Sequence, residues 1–261
     1  MSTKGLENIE KTKKYTNDQY RAWFRENGIP KSYNPVVHLS FNLGTLALLL
    51  GWHLSFVTEW NWKVFSVLAF TLVLGNLVVF LIHKYPLHKR MKIWSFPYDA
   101  HTVEHHRYFT HENPVYQSSF DFYAVFFPWF VVLGFALVAQ PLFYFSTKFI
   151  IGNELAHVFA GSTAGYFLLY EFVHWCSHLP EDHFFLKVPW LKYMWEHHRV
   201  HHNPRLMNRY NFCIVYPLFD MLLGTHFKGE MPRSSDEDHY LDVRENLRQN
   251  PSGAPVESTL Q

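Results

Sequence analysis

The sequence predicts an all-α integral membrane protein, a four-helix bundle carrying a helical cap on one face. Three observations lead there: four apolar runs of membrane-spanning length, a one-sided distribution of Lys and Arg, and 18 histidines, most of which cluster on the basic side. Hydrophobic residues make up 48% of the 261, aromatics 19% and charged residues 17%, too apolar for a disordered chain and poor in charge for a soluble surface. A net charge of +1 argues against a nucleic-acid partner. Two cysteines, Cys176 and Cys213, cannot build a disulfide framework.

The first 35 residues are polar and basic and lack the apolar core of a cleavable signal peptide. Apolar runs follow at 36–57 and 62–82, joined by a short loop around Glu59, Trp60 and Asn61, so the pair reads as an antiparallel hairpin. Each has about the 20 residues a helix needs to cross roughly 30 Å of hydrocarbon. After a polar segment come the runs 122–145 and 149–172. The last of these carries Asn153, Glu154 and His157 together with a small-residue face of Gly161, Ser162, Ala164 and Gly165, and such groups belong in a bundle interior. This gives a polar segment 1–35, a membrane domain 36–226 and a polar tail 227–261.

Lys and Arg test the spans independently. Twenty-one lie in the tails and the central polar segment; only Lys63 and Lys148 lie near the two short connections. The positive-inside bias places both termini and the central segment in the cytoplasm. That means an endoplasmic reticulum membrane in a eukaryote, or the inner membrane of a bacterium. A soluble bundle would show amphipathic helices, not runs apolar all round.

The histidines fall where the cytoplasmic segments are. His83 and His88 flank Pro86 at the end of the second run, His101, His105 and His106 sit in the central segment, His174 and His178 follow the fourth run, and His197, His198, His201 and His202 lie beyond it. Four of the pairs, 101/105, 174/178, 197/201 and 198/202, have the i, i+4 spacing that shares a helix face. His38, His53, His157, His183, His226 and His239 stand apart and receive no chemistry. About ten converging imidazoles exceed one tetrahedral zinc but suit two five- or six-coordinate ions. Glu104, Glu171, Glu196 and Asp182 are candidate acceptors for the ring N–H groups. The single Glu-x-x-His at Glu171–His174 disfavours a carboxylate-bridged di-iron bundle, which needs two. Neither a nicotinamide motif nor a serine-nucleophile motif is present.

The order His-x4-His, His-x3-His-His, His-x3-His, His-x2-His-His around paired spans resembles the fatty acid hydroxylase superfamily, which includes sterol desaturases, carotenoid hydroxylases and fatty acid 2-hydroxylases. The segments YEFVHWCSHLP, KYMWEHHRVHHNP, Asn211–Phe212 and PLFDMLLGT carry the resemblance most closely. It implies His83, His88, His101, His105, His106, His174, His178, His198, His201 and His202 as ligands of two Fe ions, which Zn can replace in a purified protein. His111 is extra, and His197 offers a second register in the last cluster.

The resemblance further implies an O2-dependent monooxygenase that hydroxylates a lipid C–H bond, fatty acyl, sterol or isoprenoid, held by the bilayer-facing helices. Electrons would come from a separate donor, cytochrome b5 or ferredoxin with a reductase. A desaturase using the same di-iron centre is the enzymatic alternative. A histidine-rich metal transporter is the alternative of another class, but it needs ionisable residues along a path through the bilayer. Apart from Lys63 and Glu171 at their ends, only His38, His53, Glu154 and His157 lie within the runs.

Overall fold

The computed structural model describes residues 4–249. It is all-helical among those residues. Among the described residues nine helices carry the architecture: α1 Lys4–Thr12, α2 Asn17–Asn27, α3 Pro35–Leu54, α4 Trp62–Leu87, α5 at 96–108, α6 Trp129–Ile151, α7 Asn153–Cys176, α8 Pro189–His201 and α9 Asp236–Gln249. Single turns, among them Phe122–Val125 and Leu218–Leu222, fill the connections.

Among the described residues three helices, α3, α4 and α6, are long and apolar enough to cross a membrane. Their starts follow from local chemistry. Asn34 caps α3 by accepting from the N–H groups of Val36 and Val37, with Pro35 in the first turn where no amide partner is needed. Asn61 caps α4 through Lys63 N–H. Leu48, Phe65, Phe70, Leu137, Leu142, Phe149 and Ile150 are exposed along these helices, a surface of the kind that faces lipid.

The fourth expected run forms α7, which starts at Asn153 and continues to Cys176. It packs against α3, α4 and α6 together, and its Asn153, Glu154, His157, Glu171 and His174 keep it below the apolarity of those three. The small face does what its composition suggests. Gly161 lies so close to α3 that an added Cβ would meet His53 Cβ at 2.8 Å, while Ser162 donates to Thr71 of α4 at 2.9 Å.

The third run differs from expectation. Helix stops after Val125, Phe126 to Pro128 are irregular, and α6 begins at Trp129 instead of 122. Pro128 supplies no N–H and biases Phe127 away from helix. The exposed backbone is then satisfied by neighbours, since Phe127 N–H donates to Glu171 Oε1 at 3.2 Å and Phe127 O accepts from Asn42 Nδ2 at 2.6 Å. His38 Nε2 lies 2.9 Å from the same oxygen. Backbone polar groups shielded from water need partners of this kind.

Outside the long helices, α2 buries Tyr20 and Phe24 against Tyr108, Phe109 and Val125. The segment expected as a polar tail contributes α9, whose Val243 packs on Tyr98 and Val103. Residues 1–3 and 250–261 of the expected tails lie outside the described residues.

Candidate metal centre

Two interruptions of α-helical geometry set the histidines. At 83–87 the end of α4 relaxes into a π-turn containing Pro86, and α5 is π-helical at 99–105. The wider turn alters which positions share a face. His83 and His88, five apart, bring their ring centroids within 5.1 Å, and His101 pairs with His106, Nε2 to Nε2 at 3.1 Å. The expected 101/105 face is therefore split. Those two rings stack at 5.0 Å but belong to different groups.

The first group is His83, His88, His101, His106 and His201; the second is His105, His178, His198 and His202. Within each group one nitrogen per residue lies within 4.8 Å of all the others, and every member is buried. The groups adjoin, His106 stacking on His202 at 4.3 Å. His174 flanks the second group, with centroids 5.0 Å from His105 and 4.9 Å from His198, and neither of its ring nitrogens meets a hydrogen-bond partner. The ten residues expected from sequence thus converge on one locus. His111 stands outside both groups, near Ser234 Oγ at 3.5 Å. His197 also stands outside, at 3.1 Å from Asp220 Oδ2, so the 197/201 pair is not a ligand pair.

The outer edge of the locus fixes its tautomers. Nδ1–H of His83 donates to Phe212 O at 2.6 Å, His105 to Ala124 O at 2.6 Å, His178 to Pro114 O at 2.8 Å, His201 to Tyr210 O at 2.9 Å and His202 to Phe109 O at 2.5 Å. A carbonyl only accepts, so each Nδ1 holds the proton and each Nε2 is left as an inward lone pair. The acceptors for these five are backbone carbonyls and not the expected carboxylates. Glu171 is engaged by Phe127, and Glu196 faces Lys192 at 3.8 Å.

His88 is fixed by side chains. Thr102 spends its hydroxyl proton on Leu87 O at 2.6 Å, so its Oγ1 accepts from His88 Nδ1 at 3.3 Å. Asn208 Oδ1 accepts as well at 3.2 Å, its amide being oriented by Nδ2 donating to Asp242 at 2.6 Å. Burial pushes His88 and His201 well below the ordinary histidine range, so neither carries a second proton. Yet their Nε2 atoms face each other at 3.0 Å. Two bare lone pairs at that separation repel unless a cation lies between them. In the second group, Nε2 of His105 and of His178 is buried without a partner, the same signature.

Asp220 locks the 211–213 loop, which carries the carbonyl that anchors His83. Fully buried, it accepts from Phe212 N and Cys213 N at 2.9 and 2.8 Å and from Thr225 Oγ1 at 2.7 Å, besides His197. Burial opposes its charge, but the His197 contact and these donors hold its carboxyl below the ordinary range. Asn211, at φ 61°, turns the chain and donates to His197 O at 3.0 Å. The Phe212 carbonyl that anchors His83 is aimed by this latch. Pro114 is held similarly, because Arg21 donates to the adjacent Val115 O at 2.7 Å.

An apolar cleft of about 620 Å³ lies between α3, α7 and the 122–126 turn, the turn whose Ala124 O anchors His105. Leu39, Leu43, Phe126, Leu168, Phe172 and Trp175 line it. Of the isolated histidines, His38 serves the Phe127 break, a role signalled by its i, i+4 spacing to Asn42. His53 and His157 contact each other at 2.9 Å, at the ends of α3 and α7 remote from Pro35 and His174.

Comparison with protein-family models, curated proteins and solved structures gives no match for this chain.

Proposed function

We propose that this protein is a membrane-bound non-haem di-iron monooxygenase that hydroxylates a C–H bond of a lipid. In this reading α3, α4, α6 and α7 form a four-helix membrane bundle, and the remaining helices cap it on the cytoplasmic side. One observation carries the proposal: the unprotonated Nε2 atoms of His88 and His201 face each other at 3.0 Å within a buried group of five histidines. Neutral imidazoles in two adjoining groups fit two mid-row divalent ions of five or six ligands better than one zinc.

Two bound iron ions would supply the chemistry that side chains lack, the reduction of O2 by two external electrons coupled to oxidation of an unactivated C–H bond. The protein's own residues do the rest. Backbone carbonyls hold the Nδ1 protons, so every anchored ring presents a basic nitrogen inward without reorganising. The apolar cleft, whose lining includes Trp175, the residue after His174 in the chain, would hold an acyl or isoprenoid chain and exclude water from the reacting carbon. Electrons would arrive from a separate carrier such as cytochrome b5 or ferredoxin, met by the basic cap.

Comparative lipid mass spectrometry of cells with and without the gene, grown under 18O2, tests the reading, together with the iron content of the purified full chain. A lipid carrying one labelled oxygen, and iron near two per chain, are expected. Loss of two hydrogens without label would assign desaturation instead. An unchanged lipidome and metal-free protein would overturn the proposal.

A further inference from the structure

A second cleft reaches the histidine locus from the polar side. It has a volume of about 230 Å³ and is bounded by the α2 start, the 106–113 segment and the loop before α9. His106, a member of the first group, lines it, and so do His111 and His239, which belong to neither group. All three are more than nine-tenths buried, at 2, 7 and 3% exposure. Two nitrogens there have no hydrogen-bond partner, His239 Nε2 and the outer His106 Nδ1, whereas His106 Nε2 faces His101 in the first group. The rim carries Asp18 and Glu112; the nearby cations are Arg107, buried with its guanidinium tied to Tyr15 O and lying over the Tyr20 ring, and Arg199, whose charge reaches His111.

We infer that this cleft is the port through which a hydrated divalent cation reaches the first histidine group, with His111 and His239 as transient ligands on the way to His106. The inference rests on the metal-centre reading above. At roughly 30 Å³ of liquid per water, the cleft has room for an ion that keeps several waters. Rim carboxylates raise the local cation concentration, and successive imidazoles then replace water one ligand at a time, so no step strips the ion bare. The apolar cleft offers an ion no alternative. It is lined by Leu, Phe, Gly and Trp, where an unpaired charge is costly.

The test uses the full chain in detergent, stripped with a chelator and reloaded with Co2+, the uptake followed by stopped-flow absorbance and the final cobalt content by elemental analysis. His239→Phe and His111→Ala remove the transient ligands, and Ser234→Trp narrows the mouth without removing a histidine. Final cobalt content should match wild type in all three while uptake slows by roughly tenfold. Wild-type uptake rates in all three variants would overturn the port. Reduced final content in His239→Phe, with unchanged rate in Ser234→Trp, would also overturn it and make His239 a resident ligand. A wild-type chain that retains no cobalt would instead fail the metal-centre reading itself.

Discussion

His88 and His201 direct unprotonated Nε2 atoms at each other across 3.0 Å, each held there by a proton committed elsewhere, to Thr102 and Asn208 in one case and to Tyr210 O in the other. Such an arrangement is stable only with positive charge between the rings. Chelation should therefore lower the thermal midpoint of the purified chain, and Fe2+ or Zn2+ should restore it. A ligand present at 100 to 1,000 times its Kd contributes about 3 to 4 kcal/mol. Scanning fluorimetry with and without chelator reads this; a midpoint insensitive to metal would refute it.

Adjacent histidines in α8 should behave differently. His201→Ala removes a member of the first group, so metal content should drop by about half of the wild-type value. His197→Ala should leave metal content intact and cost about 1 to 3 kcal/mol, because it strips one partner from buried Asp220. Metal analysis and urea unfolding on both variants separate the two registers.

Asp220 is expected to matter for the centre it never touches. Asp220→Asn weakens acceptance from Phe212 and Cys213, lets the Phe212 carbonyl drift and so releases His83. Stability should fall on the order of 3 kcal/mol, because hydrogen bonds to a buried charged group are the costly ones to lose. Metal content should fall with it. Full metal content in a destabilised variant would show that the latch serves folding alone.

The metal-stripped protein should weaken in mild acid. Burial lowers His105 to about 4 and His239 to about 3, against an unfolded value near 6.5. As pH falls below that unfolded value, the unfolded chain binds protons that the folded chain refuses. Stability thus declines through the window from 6.5 towards 4, by up to about 1.4 kcal/mol per pH unit for each group, and levels off below the folded values. Chelated protein unfolded at pH 7, 6 and 5 should show the decline; constant stability across that range would contradict it.

The apolar cleft makes a selectivity prediction. Leu43→Trp fills its deep end without approaching the histidines. Product profiles should shift toward shorter chains, with metal content unchanged. An unaltered chain-length distribution would mean that the substrate lies elsewhere.

Much of this site can be read from the sequence, because imidazoles four apart leave a periodic mark and long apolar runs leave a compositional one. The ten converging histidines and the helical hairpins are of that kind. Their partition is not, since the 3.6-residue rule fails where Pro86 and the 99–105 stretch widen the helix, which sends His105 to one group and His101 and His106 to the other. The ring anchors are equally silent. Phe109, Pro114, Ala124, Tyr210 and Phe212 contribute main-chain oxygens, and any side chain there would supply the same atom. The break at Phe126 to Pro128 was marked by Pro128, but its place inside an apolar run concealed it.

That break joins distant parts of the molecule. Phe127 is gripped by Asn42 from α3 and Glu171 from α7, while three residues earlier Ala124 O carries His105. Sliding or tilting of α3 against α7 would thereby reach one imidazole of the second group, making the spacing of two long helices and the aim of a single ring one mechanical variable.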